Sequence, residues 1–142
     1  MRQILLFAAL AAVLALLLVR CGGTKGKPVP TEEDAPGKAA YHKISAEEAY
    51  EMMASQEVVV VDVRTREEYD GGHIENAVLV PNESIGSEMP EVLPDKEATL
   101  LVYCRSGRRS KDAAEKLLAL GYQSVYNLGG VIDWPYELVK EG

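Results

Sequence analysis

Cysteine, histidine and the large aromatics are scarce in this chain of 142 residues: two Cys, two His, one Trp and one Phe. Cys21, Cys104, His42 and His73 lie far apart and show no paired ligand spacing. That excludes a zinc-type constellation, so no metal is called for, and nothing else in the chain asks for a cofactor. A basic excess is missing too. The formal charge is −7, and residues 40–142 carry 10 Lys/Arg against 19 Asp/Glu, a net of −9. Neutralising phosphates dominates nucleic-acid affinity, so this acidic region makes a poor nucleic-acid binder. No internal repeat is visible, and the length fits one domain and a tail.

One long apolar run is present. Met1-Arg2-Gln3 precedes sixteen apolar residues, Ile4 to Val19. As a helix this run would span about 24 Å. That is shorter than a ~30 Å hydrocarbon core and long for the apolar part of a signal peptide. Residues 1–21 are therefore expected to be a signal peptide or a membrane anchor, not part of the fold. Leu18-Val19-Arg20-Cys21-Gly22-Gly23 resembles a bacterial lipoprotein cleavage box, in which Cys21 would become lipidated. Arg20 departs from that pattern, which wants a small residue there. An uncleaved anchor is the other reading. Both place the rest of the chain in the bacterial cell envelope, outside the cytoplasm and beside a membrane, periplasmic or membrane-anchored. Residues 22–39 are rich in Gly, Pro, Lys, Thr and acids, with almost no large apolar residue. They read as a flexible linker with an end-to-end distance of about 20–25 Å.

The folded part is expected from Ala40 to Gly142. Tyr41 to Ile44 suits an edge strand. Ser45 and Glu48 form a capping-box pattern, predicting a helix to about Ser55 that buries Ala49, Met52 and Met53. Val58 to Val63 is apolar on both faces until Asp62, as in a central parallel strand. Thr65 and Glu68 offer a second capping box and a short helix ending near Gly71-Gly72. Ala77 to Val80 reads as a strand stopped by Pro81. Ser87 to Leu93 is expected to form a helical turn. Ser124 to Leu128 is the last strand. A final segment, Val131 to Val139, is expected to be helical, with Pro135 in its first turn. Strands and helices alternate at βαβ spacing, so the class is α/β with a parallel sheet.

The organising stretch is Thr99 to Ser110, Thr-Leu-Leu-Val-Tyr-Cys-Arg-Ser-Gly-Arg-Arg-Ser. It predicts a buried strand ending at Cys104, a short loop containing Gly107, and then a helix. Ala113, Ala114, Leu117 and Leu118 share one face of that helix, and Gly121 can cap its end. Open parallel sheets bind ligands at the carboxyl ends of their strands, facing helix N-termini. Arg105, Arg108, Arg109 and Lys111 fall in the same stretch, four of the ten cations of residues 40–142. Dipole, backbone N–H groups and cations all favour thiolate over thiol. The chemistry indicated is an anion-binding cysteine nucleophile. A buried cysteine serving only as a small hydrophobe is the plainer alternative, but cations at a helix N-terminus are not what structure alone would ask for.

Four pieces in order resemble rhodanese domains: Val61-Asp62-Val63-Arg64, Glu68-Tyr69 with Gly72-His73-Ile74 and Ala77, Cys104 to Ser110, and Gly129-Gly130-Val131 with Trp134. The resemblance covers about residues 40–140. It implies a three-layer α/β/α domain around a five-stranded parallel sheet of order 3-2-4-5-1. It also implies sulfurtransferase chemistry of the thiosulfate type. Cys104 would take a sulfane sulfur from a small anionic donor and pass it, through a persulfide, to cyanide or a thiol. Backbone N–H groups of residues 105–109 would cradle the terminal sulfur. Arg105, Ser106, Gly107, Arg108 and Arg109 are the candidate substrate-binding residues. Ser110 is expected either to cap the helix or to touch substrate.

Asp62 and Arg64 are expected to be structural, with Arg64 a candidate partner of Glu68. His73 reads as structural, His42 as solvent-exposed at the domain edge, and Trp134 as core. Two rival functions remain at this level. A cysteine phosphatase or arsenate reductase uses a Cys-x5-Arg cradle, but here Ser110 stands six places after Cys104 and the arginine, Arg109, at five. A non-catalytic binding module commonly loses the cysteine, which this chain keeps. If Cys21 is removed or lipidated, Cys104 has no resolving partner in the chain, and an outside acceptor must discharge the persulfide.

Overall fold

A computed structural model describes residues 40–140 of the chain. The signal or anchor segment, Cys21 and the linker of residues 22–39 lie outside the described residues. Five strands form one parallel sheet: β1 (Ala40–Lys43), β2 (Val59–Asp62), β3 (Val78–Leu79), β4 (Thr99–Cys104) and β5 (Ser124–Gly130). Their order is β1-β5-β4-β2-β3, all neighbours parallel. Read from the other edge, this is the expected order 3-2-4-5-1, with the cysteine strand at the centre.

Side-chain alternation along β4 makes the three layers. Leu100, Val102 and Cys104 join Ala113, Ala114 and Leu117 of helix α3 (Arg108–Ala119) in one apolar cluster. Leu101 and Tyr103 point to the other face. They pack with Ala49 of α1 (Ala46–Ser55) and Tyr69 of α2 (Arg66–Asp70). Trp134 joins that second cluster, as expected for core. Among the described residues, no helix is long and apolar enough to cross a membrane.

Local chemistry explains the helix ends. Ser45 Oγ accepts from Glu48 N, and Glu48 Oε2 accepts from Ser45 N. The second capping box, Thr65 with Glu68, closes in the same reciprocal way. Helix α3 ends where Gly121 adopts a φ of +96° and Tyr122 N–H donates to Leu117 O at 3.2 Å. A left-handed glycine there satisfies carbonyls that the helix leaves open.

Four sequence expectations need correction. Residues 87–93 form a loop, and the helical turn lies earlier, as a 3₁₀ turn at Asn82–Ser84. Pro81 fits the start of that turn, and the Ser84 hydroxyl donates to its carbonyl. The segment from Val131 is a single 3₁₀ turn, Val131–Asp133, followed by extended chain. Pro135 forces Trp134 out of the helical region (ψ 113°), as a residue preceding proline prefers. Val139 then pairs with His73 in an isolated bridge. Met52 and Met53 are half-buried at the edge of the core, and only Ala49 of α1 is fully buried. His42 is half-buried and stacks on Tyr126 with ring centroids 4.6 Å apart.

Candidate active site

Cys104 is the last residue of β4 and is only 1% exposed. The chain then turns through Arg105, Ser106 and Gly107 and enters α3 at Arg108. Gly107 takes the N-cap position at φ +96°, so the helix begins without a side-chain cap. That conformation is costly for any residue with a Cβ. It turns the Gly107 N–H back onto the sulfur, donating to Cys104 Sγ at 3.1 Å.

Strand β5 holds the loop from behind. Its register against β4 shifts after Val102, so that Tyr103 faces Gly129 and Cys104 faces Gly130. This bulge carries Gly129 at φ +92°. A Cβ on Gly130 would stand 2.4 Å from Arg105 O and 2.7 Å from Ser106 Cα. Only glycine allows the loop to lie this close. Gly129-Gly130 is thus the rear wall of the cysteine loop, a bulge of the kind often found beside active sites.

The electrostatics follow from the geometry. Burial pushes the Cys104 thiol up, but the N–H and hydroxyl of Ser110 and the N–H groups of Ser106 and Gly107 outweigh it. The net direction is below an ordinary cysteine, so the loop stabilises the thiolate. Ser110 does not cap the helix from outside. It is fully buried within the first turn.

The four cations separate into paired and unpaired. Arg109 makes a two-pronged ion pair with Glu68 on α2, at 2.7 and 2.8 Å. Arg109 chiefly, against the opposing effect of burial, holds the Glu68 carboxyl down at about 2. Lys111 pairs with Glu115. Arg105 and Arg108 are exposed, and neither enters an ion pair among the described residues. Arg64 does not reach Glu68, as the sequence suggested. It pairs with Asp62 at 2.6 Å and donates to Gly72 O at 2.8 Å. Two residues apart at a strand end, Asp62 and Arg64 can meet locally. Glu68, anchored by its capping box, faces α3 instead. His73 stacks on Tyr69 and contacts Tyr69 O through Nδ1 at 3.0 Å, a structural role as expected.

Beside the loop, a cavity of about 470 Å³ opens at the ends of β1 and β5. Tyr41, Lys43, Ser106, Lys111, Asn127 and Asp133 are among its lining residues. Sequence reasoning missed Asn127, which joins the cavity to Ser110. Its only sequence signal is an amide set among Val125, Tyr126 and Leu128 in the last strand.

Comparison with known proteins agrees with this geometry. The rhodanese-like domain family profile matches residues 45–135. A rhodanese from E. coli, solved with anions, superposes with a TM-score of 0.55 at 35% identity, covering 60% of this chain and all of that one. A rhodanese-like domain protein from Staphylococcus aureus gives 0.61 at 32% identity, covering 71% and 99%. A human single-domain sulfurtransferase gives 0.58 at 27%, covering 65% and 93%. A curated relative, the tRNA uridine(34) hydroxylase of Yersinia pestis, is 30% identical over 106 residues. The match takes in 71% of this chain and spans about 30% of that relative's length. Sheet order, cysteine loop, glycine wall and sequence profile converge, and the chain belongs to the rhodanese-like domain family.

Proposed function

We propose that the domain is a sulfurtransferase of the thiosulfate type, working through a persulfide on Cys104. The observation that carries this reading is the cradle: N–H groups of Ser106, Gly107 and Ser110 converge on one buried sulfur and favour its charged form. A thiolate so held attacks the outer, sulfane sulfur of thiosulfate. The S–S bond of the donor breaks, sulfite leaves with the electron pair, and Cys104 becomes a persulfide whose terminal sulfur carries the negative charge. Cyanide or a thiolate then attacks that terminal sulfur. Thiocyanate or a small persulfide leaves, and the Cys104 thiolate returns. The same N–H groups suit both charged states, so little reorganisation is needed between steps. Arg105 and Arg108, at the rim, attract the anionic donor towards an otherwise acidic domain.

Two observations disfavour the rivals. In a Cys-x5-Arg cradle the arginine must be free to clamp an oxyanion, whereas Arg109 is engaged at both ends of its guanidinium by Glu68. A binding module has no use for donors converging on a sulfur. The tRNA chemistry in the name of the Yersinia relative is not carried over, since a net charge of −9 over residues 40–142 repels a phosphate backbone. We further place the domain outside the cytoplasm, held at a membrane by its N-terminus, where soluble thiols or partner cysteines act as acceptors. Thiosulfate:cyanide transfer assayed beside phosphate-ester hydrolysis tests the reading. Thiocyanate formation that depends on Cys104 supports it. Ester hydrolysis without sulfur transfer overturns it.

A further inference from the structure

The Ser110 hydroxyl has one proton and too many acceptors. It lies 2.8 Å from Asn127 Oδ1, 3.0 Å from Gly107 O and 3.2 Å from Gly129 O, and it also stabilises the Cys104 thiolate. A hydroxyl donates once at a time, and Ser110 is fully buried, away from bulk water. The Asn127 carboxamide has a fixed orientation. Its oxygen accepts the Gly129 N–H at 2.9 Å, and its nitrogen donates to Tyr41 Oη at 3.0 Å. Flipping the amide would set two N–H groups against each other at Gly129. The atom facing Ser110 is therefore always an acceptor.

We propose that Asn127 is a positioning residue for the nucleophile, its carboxamide oxygen contesting the single hydroxyl proton of Ser110 with the Cys104 sulfur. The hydroxyl rests on Asn127 while Cys104 is a thiol and turns to the sulfur when the sulfur carries charge. The turn leaves no orphan, because Asn127 Oδ1 keeps the Gly129 N–H. Tyr41 polarises the amide and sharpens the contest. The chain of contacts runs from the cavity through Tyr41, Asn127 and Ser110 to the sulfur. It joins the edge strand β1 to the centre of the sheet.

The proposal rests on Cys104 acting as a thiolate, and its test reads ionisation alone, so sulfur transfer can fail while this holds. The full chain, in detergent, is titrated by its ultraviolet thiolate absorbance. Each variant is referenced to the same chain carrying Cys104→Ser, which cancels Cys21 and the tyrosines. The charged groups round the site are Arg105, Arg108, Arg109 with its partner Glu68, and Lys43, Lys111 and Asp133 at the cavity. None of them changes in these variants.

Asn127→Ala should lower the titration midpoint by up to about half a pH unit, because only the Gly107 and Gly129 carbonyls, at 3.0 and 3.2 Å, then compete with the sulfur for the hydroxyl proton. In a Ser110→Ala background the same substitution should do nothing. Tyr41→Phe, at a half-exposed side chain, should lower the midpoint by less and also depend on Ser110. If Asn127→Ala does not fold, the isosteric Asn127→Asp carries the test. It should raise the midpoint, and by more with Ser110 present than without it. An unchanged or raised midpoint in Asn127→Ala, or equal shifts in both backgrounds, overturns the proposal. A purely structural Asn127 would move the melting temperature and leave the midpoint in place.

Discussion

Tyr103 and Cys104 are neighbours at the end of one strand, yet they face different worlds. Tyr103 Oη donates to Asp62 Oδ2 at 2.6 Å and accepts the Ile74 N–H at 3.1 Å. Asp62 is in turn clamped by Arg64. Burial first, and then the Asp62 charge, push the Tyr103 hydroxyl far above its usual range, so it stays a neutral donor. On that face the buried charges of Asp62 and Arg64 are paired with each other, and the network joins β2, β4 and the Gly72–Ile74 turn. One residue later, on the opposite face, donors converge on a single sulfur, and the cations at the rim, Arg105 and Arg108, pair with no carboxylate among the described residues. A closed set of polar partners marks structure. Donors gathered on one sulfur beside exposed cations are what an anionic sulfur species needs.

That contrast can be broken by substitution, and the largest effect belongs to the sulfur. Cys104→Ser should abolish sulfur transfer while leaving the thermal unfolding midpoint nearly unchanged. Retained thiosulfate:cyanide activity would remove Cys104 from the chemistry. The mirror experiment is Asp62→Ala, which leaves the Arg64 charge buried with only the Gly72 carbonyl and the Tyr103 hydroxyl without its acceptor. Removing one partner of a buried pair costs about 3–5 kcal/mol, and denaturant unfolding should show it. Activity per folded molecule should change far less than stability does. A selective loss of kcat in a fully stable variant would show the two faces to be one machine.

Glu68 sits between the two regimes. Its carboxyl is held at about 2 against an ordinary 4.5, mainly by Arg109. A depressed carboxylate contributes stability that is complete above its ordinary value and lost as pH falls towards the folded value. Between pH 4.5 and 2 the stability of the chain should therefore fall, and in Glu68→Gln that part of the acid slope should flatten. Identical acid slopes in the two proteins would mean the pair contributes nothing. The smallest effect is expected at the rim. Arg105→Ala should raise KM for thiosulfate more than it lowers kcat, because an exposed cation acts on binding of the donor. Equal losses in kcat and kcat/KM would place Arg105 in the transition state instead.

The sequence made much of this legible because several signals pointed the same way. Apolar runs with βαβ spacing named the sheet, and two capping boxes fixed helix starts that the structure reproduces atom by atom. Cys104, Gly107 and the clustered arginines marked the loop. What the sequence could not show were pairings across long separations. Glu68 to Arg109 and Ser110 to Asn127 are brought together only by the sheet order. The two helical turns were misplaced for local reasons. A helical turn is expected at Ser87–Leu93 and a helix at Val131–Val139, but prolines at 81 and 135 set where turning starts and stops. His42 looked like an edge residue bound for solvent, and the Tyr126 ring one strand away covers it.

The central claim, that the converging donors exist to hold a sulfur anion, has one direct test. The full chain is treated with excess thiosulfate, freed of small molecules, and digested without reductant for mass spectrometry. The account predicts that the peptide containing Cys104 gains the mass of one sulfur atom, once per chain, and loses it when a thiol or cyanide is added. A Cys104 peptide of unchanged mass, in a protein that remains folded and binds thiosulfate, would contradict it.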